Sequence, residues 1–142
     1  MELGCGIGWI KSKHTGKCYK LFTTGKSWPV ARRKCQNLGV NGDLASAPDI
    51  ETSQFLAAMT NDLVWIGGQK GSDGLWMWSD GTPWNFENWD SNSGQPSESA
   101  DENHLVLHNA DPGLWSDANG EPEKKKYICQ YVPGKSLFCR IK

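Results

Sequence analysis

The chain has 142 residues, 15 of them basic and 16 acidic, for a net charge of −1; that is the length of one domain, with room for a single hydrophobic core. The balance leaves no electrostatic footprint for nucleic acid and argues against a polyanion-binding role. No run of about 18 apolar residues is present to span a membrane, and the start, Met-Glu-Leu-Gly-Cys, lacks the basic and apolar regions of a leader, so a secreted protein would be present here in mature form.

Trp9-Ile10 and Cys18-Tyr19-Lys20-Leu21 flank the turn-prone stretch Lys11 to Gly16, which predicts a hairpin that a Cys5–Cys18 bridge would close. Ser27-Trp28-Pro29 predicts a helix start, with serine as cap and proline in the tolerant first turn. Trp28, Ala31, Cys35 and Leu38 then share one face, and Gly39 is the expected stop. A bridge from the inward Cys35 to Cys129 would close most of the chain. Ser46-Ala-Pro-Asp49 resembles a capping box and predicts a second helix to about Thr60, its buried stripe being Thr52, Phe55, Leu56 and Met59.

Leu63 to Ile66 predicts a buried strand that turns sharply at Gly67-Gly68. Leu75 to Trp78, His104 to His108 and Lys126 to Tyr131 predict three more strands. Eight Trp and 16 Gly in the chain suit a loop-rich fold. The five cysteines, Cys5, Cys18, Cys35, Cys129 and Cys139, form no Cys-x-x-Cys pair; two disulfides and one spare thiol fit them best, implying an oxidising compartment, although any four cysteines allow three pairings. Residues 1–132 are expected to form one domain and 133–142 a tail too short to fold alone.

From Ser79 to Glu102 the sequence is irregular and polar, and loops beyond about 12–15 residues in a compact domain are usually functional. Gln95, Ser97, Glu102, Ser116 and Asp117 place side-chain oxygens on two neighbouring segments. Calcium takes six to eight oxygens of these kinds, so the pattern points to a calcium-assisted carbohydrate site. No nucleophile elbow, phosphate-binding glycine loop or His-Glu-x-x-His is present, which argues against an enzyme.

The chain resembles the C-type lectin domain family from Cys5 to Cys129. The resemblance rests on Cys5 to Ile10, Trp28 through Cys35, Trp65-Ile-Gly-Gly68, Trp78-Ser-Asp-Gly-Thr-Pro83, Asn88-Trp89, Gln95-Pro96-Ser97, Trp115-Ser-Asp117 and Tyr127-Ile-Cys129. It implies an α+β fold in which two helices flank two small antiparallel sheets and a long loop carries Ca2+ and sugar. Carried over residue by residue, it implies that Gln95, Ser97, Glu102, Ser116 and Asp117 hold both the ion and two vicinal sugar hydroxyls, with Pro96 cis. The Gln-Pro start implies galactose-type glycans, and Trp84, Trp89 or Trp115 would present a ring to the sugar.

This sequence departs from the family pattern in ways that weaken the site. Ser97 and Ser116 stand where the family has carboxylate or amide oxygens, leaving charge to Glu102 and Asp117, with Asp101 as a further candidate ligand. A further family disulfide is missing, its positions being His104 and about Gly120. The rival expectation is a calcium-independent module of the same fold that binds protein or a mineral surface. Cys139 lies outside the family's pairing pattern and suggests a disulfide-linked homodimer in an extracellular setting.

Overall fold

The structure, a computed structural model, describes residues 4–39, 41–109 and 113–133. Cys139 and the tail beyond residue 133 lie outside the described residues, as does part of the turn expected at Asp111-Pro-Gly113. In chain order the elements are β1 (Ile10–Lys11), β2 (Cys18–Lys26), α1 (Trp28–Gln36), β3 (Asp43–Leu44), α2 (Ile50–Ala57), β4 (Val64–Lys70), β5 (Trp76–Trp78), β6 (His104–Leu107), β7 (Trp115–Ala118) and β8 (Lys125–Tyr131).

The first hairpin is as expected: Ile10 faces Tyr19, and Cys5 is bonded to Cys18. α1 buries Trp28, Ala31 and Cys35, the spacing of a 3.6-residue period. Ser27 occupies the N-cap position without a side-chain capping bond; the Trp28 N–H instead donates to the Gly120 carbonyl at 2.9 Å. The helix also ends sooner than expected, with Asn37 as C-cap and Leu38 47 % exposed, because the chain must already turn toward β3.

α2 corrects the expected capping box. Its N-cap is Asp49, whose carboxylate accepts from the Thr52 N–H at 2.8 Å. Ser46 is buried and donates to Asp80 at 2.8 Å; Pro48 holds the residue before it extended, so the helix cannot begin earlier. Thr52 and Leu56 are buried as expected, Phe55 and Met59 are partly buried, and Ser53 and Ala57 join the buried face.

The strands run in the order β1-β2-β8-β4-β6-β7, with β3 attached to β8 and β5 to β4. The chain is thus α+β, with two helices and a mixed sheet, its two parts joined by the parallel pairing of β4 with β8. Alternation along β6 divides the core between the two faces. Leu105 and Leu107 join Tyr19, Leu56, Ile66, Trp115 and Ile128 on the face covered by α2. Val106 joins Trp28, Cys35, Trp65 and Tyr127 on the face covered by α1. Each such fully buried large side chain contributes about 1.5–3 kcal/mol. Cys35–Cys129 fastens α1 to the central β8.

The expected sharp turn at Gly67-Gly68 is corrected, since β4 runs through both glycines to Lys70 and leaves Leu63 exposed. The glycines are needed for close approach instead. A Cβ on Gly68 would lie 2.6 Å from the Leu105 side chain, and one on Gly67 2.8 Å from Ser79 Oγ. β3 and β7, which had no strand signal of their own, are recruited by neighbours: Asp43 pairs with Gln130, and Leu105 with Asp117.

Candidate functional site

The long loop leaves β5 and is stitched to β7 through its backbone. The Trp115 N–H donates to Asn88 O at 2.9 Å, and the Asp90 N–H donates to Trp115 O at 2.8 Å. A short 3-10 turn at Ser91–Ser93 follows, and the Gln95 N–H returns to Asp90 O at 3.1 Å. The far arm is tied to β4, where the Lys70 N–H donates to Asn103 O at 2.8 Å. These bonds bring the loop segment from Gln95 to Glu102 over Asp117 in β7.

Four of the expected ligand residues meet there. The Gln95–Pro96 peptide is cis, and Gln95 Oε1 accepts from the Asp117 N–H at 3.2 Å. The Ser97 N–H donates to both Asp117 carboxylate oxygens, at 3.0 and 3.1 Å. The Ser97 hydroxyl bonds to Glu102 and lies 3.2 Å from Asp117 Oδ2. Glu98 adopts φ +63°, a left-handed conformation uncommon outside glycine and enriched at functional sites. That turn directs its N–H to Asp117 Oδ2, at 3.4 Å.

Two carboxylates therefore converge on one hydroxyl, and Asp117 is only 6 % exposed. Neither Glu102 nor Asp117 has an ion-pair partner among the described residues. A buried carboxylate without a cation calls for compensation, and an oxygen-rich group of net negative charge suits calcium. The donor set is thin, however: among the described residues no three His, Cys, Asp or Glu side chains gather as a metal-binding group, so the remaining oxygens are neutral.

Ser116 is not brought to this group. Strand alternation turns its side chain to the opposite face from Asp117, where its hydroxyl lies 2.8 Å from His108 Nε2. Burial lowers the His108 pKa, with Asp90 acting in the other direction. Asp101 is exposed; its backbone N–H bonds Ser99 Oγ at 3.4 Å, and no contact links its carboxylate to the group.

His104 of β6 lies against Gly120, just beyond the end of β7. A Cβ on Gly120 would fall 2.3 Å from His104 Nδ1, so the imidazole fills the space that the glycine leaves. The ring also packs on Trp28, with centroids 4.3 Å apart. Burial lowers its pKa from 6.5 to about 4, so it is neutral at physiological pH.

Beside the oxygen group lies a groove of about 450 Å³ walled by Trp76 and Trp89, with Pro96, Lys70, Glu87 and Glu98 at its sides. Pro96 and Glu98 belong to the loop that carries Ser97, so the groove and the oxygens share a wall. Trp89 is one of the rings singled out from sequence. Trp84 is half-buried like Trp89, packing on Trp78 at 4.7 Å and donating from Nε1 to the groove residue Glu87 at 2.7 Å. Trp115 is wholly buried and supports Trp89 from beneath at 5.6 Å. Trp76 was missed; its available signal was its place two residues before the buried Trp78, at the open end of a three-residue strand.

Comparison with known proteins agrees with this architecture. Residues 24–131 match the family described as lectin C-type domain. The chain is 36 % identical to ladderlectin of Oncorhynchus mykiss over 81 % of its own length, and spans 62 % of that relative. It is 27 % identical to the galactose-specific lectin nattectin of Thalassophryne nattereri, covering 88 % of this chain and 79 % of that one. The crystal structure of a calcium-independent type II antifreeze protein superposes with a TM-score of 0.80 at 28 % identity, covering 92 % of this chain and 95 % of the other.

Proposed function

The chain belongs to the lectin C-type domain family, and from that membership we propose that it is a calcium-assisted lectin for galactose-type glycans. The observation that carries this reading is the convergence of Glu102 and Asp117 on Ser97 without a compensating cation, beside an aromatic groove. Gln95, Ser97, Glu102 and Asp117 would hold the ion. Bound there, calcium would supply coordination positions for two vicinal sugar hydroxyls. Ser116 contributes through His108 and the strand rather than as a ligand.

The protein's own groups supply orientation. Trp89 and Trp76 offer apolar ring faces, and galactose presents an apolar face that an aromatic platform covers by burial. Lys70, Glu87 and Glu98 bring hydrogen-bonding groups to the groove rim. The likeness to nattectin, a galactose-specific lectin, supports the sugar class. Two disulfides support an oxidising, extracellular setting, and Cys139 is proposed to join two copies, which would raise avidity for multivalent glycans.

A second reading, a calcium-independent binding module, is favoured by one specific feature. The oxygens of Asp117 and Gln95 accept hydrogen bonds from the Ser97, Glu98 and Asp117 N–H groups, so the protein's own donors already tie the loop to β7. The likeness to a calcium-independent antifreeze protein supports this rival. Retention on immobilised galactose in calcium, release by chelator and failure of Asp117→Asn to bind would uphold the first reading. Retention unaffected by chelator would replace it with the second.

A further inference from the structure

We propose a second ligand site, for a sulfated polysaccharide chain, in the groove between β2 and α1. This groove of about 480 Å³ is lined by Lys20 and Lys26 from β2, Lys34 from α1, and Phe22, Tyr127 and Leu38 among others. Its volume falls in the range of about 300–1,000 Å³ common to small-molecule sites.

The near-zero net charge that argued against polyanion binding conceals segregation. Among the described residues, three lysines and no acidic residue line this groove, whereas the groove beside Trp89 mixes one lysine with two glutamates. Four other basic side chains are paired with carboxylates: Lys17 with Asp80, Arg32 with Asp43, Lys125 with Glu123 and Lys126 with Asp62. Lys20, Lys26 and Lys34 have no such partner among the described residues. Lining one groove, they present like charge to the same ligand, and fields within a screening length of ~8 Å add.

The segregation follows from local structure. Lys20 and Phe22 share a face of β2 by the two-residue period of a strand, and Lys34 and Leu38 are four apart in and beyond α1. Phe22 stacks on Tyr127 with centroids 5.3 Å apart and planes 6° from parallel, and Lys20 Nζ lies 5.2 Å from the Phe22 ring. The stacked rings give the groove an apolar floor beneath its cations, which matches a sugar ring bearing sulfate groups. A lipid bilayer is a poorer match, because the aromatic rings form the floor of a concavity and do not project.

The site contains none of Gln95, Ser97, Glu102 or Asp117, so its occupancy should be independent of calcium. Heparin, as the sulfated probe, should bind the whole protein in chelator at physiological salt. Affinity should fall steeply as salt is raised, the mark of counterion release by several cations. The combined variant Lys20→Gln, Lys26→Gln, Lys34→Gln should weaken binding by roughly ten- to a hundredfold and flatten the salt dependence, with galactose binding unchanged.

If that variant does not fold, Lys34→Glu alone, on a single solvent-facing helix position, should weaken heparin severalfold while Lys34→Arg retains it. No heparin binding, binding that requires calcium, or equal binding by wild type and variants would overturn the proposal. So would capture by phosphatidylserine vesicles in preference to heparin, which would make the groove a membrane contact.

Discussion

Ser97 has one hydroxyl proton and two carboxylates beside it; Asp117 also accepts from the Ser97 and Glu98 N–H groups, but these neutral donors leave the two negative charges uncompensated. Asp117→Asn removes one of the two negative charges and should abolish calcium-dependent binding while the fold survives, since the amide retains an acceptor for the Ser97 N–H. Circular dichroism checks the fold, and a variant that still binds galactose in a calcium-dependent way would contradict the assignment. His104 makes a separate prediction at this scale. Its pKa is lowered to about 4 by burial, so its contribution is complete above the unfolded value near 6.5 and is lost as pH falls from 6.5 toward 4. With the ring partly exposed, the loss should be about 2 kcal/mol. Urea unfolding at pH 7 and pH 4 should show a smaller difference in His104→Gln than in wild type; equal differences would contradict it. Gly120→Ala would press a methyl into the same ring, an overpacking that should cost about 1–3 kcal/mol in urea unfolding.

At the scale of elements, Asp49 is the test of the second helix. Its carboxylate caps the Thr52 N–H and also faces His14 Nε2 at 3.0 Å, so Asp49→Ala should lower stability by about 1 kcal/mol, whereas Ser46→Ala should act through Asp80 and not through the helix. Thermal unfolding of the two variants, compared with that of Asp49→Asn, separates these effects. Both helices were legible in the sequence because Trp28, Ala31 and Cys35, and Thr52 and Leu56, recur at helical spacing. Their ends were legible in part: Ser27 is the N-cap position of α1 as expected, whereas Ser46 carries good cap chemistry but bonds Asp80 and leaves the cap of α2 to Asp49. Gly67-Gly68 read as a turn because local sequence cannot reveal that Leu105 and Ser79 press against the strand. β7 was legible as chemistry, through Asp117, but not as a strand, because its pairing with β6 supplies the order that Trp-Ser-Asp-Ala lacks. That same strand geometry separates Ser116 from Asp117, which family pattern alone had joined.

At the scale of the whole molecule, Cys35–Cys129 closes a separation of 94 residues, and the chain-entropy model assigns such a loop about 4–5 kcal/mol. Replacing both cysteines by alanine should therefore lower the urea midpoint far more than replacing Cys5 and Cys18, whose separation is 13 and whose loop is worth about 3 kcal/mol. Equal losses would contradict that ranking. The disulfide frame and the two-faced core hold β7 and the long loop in register, and the site depends on both. The most direct measurement of the central claim is calorimetric titration of galactose into the protein with calcium present and again in excess chelator. The account predicts heat of binding that appears with calcium and vanishes on chelation. Galactose heat that persists in chelator, or no galactose heat together with no heat from calcium itself, would contradict it.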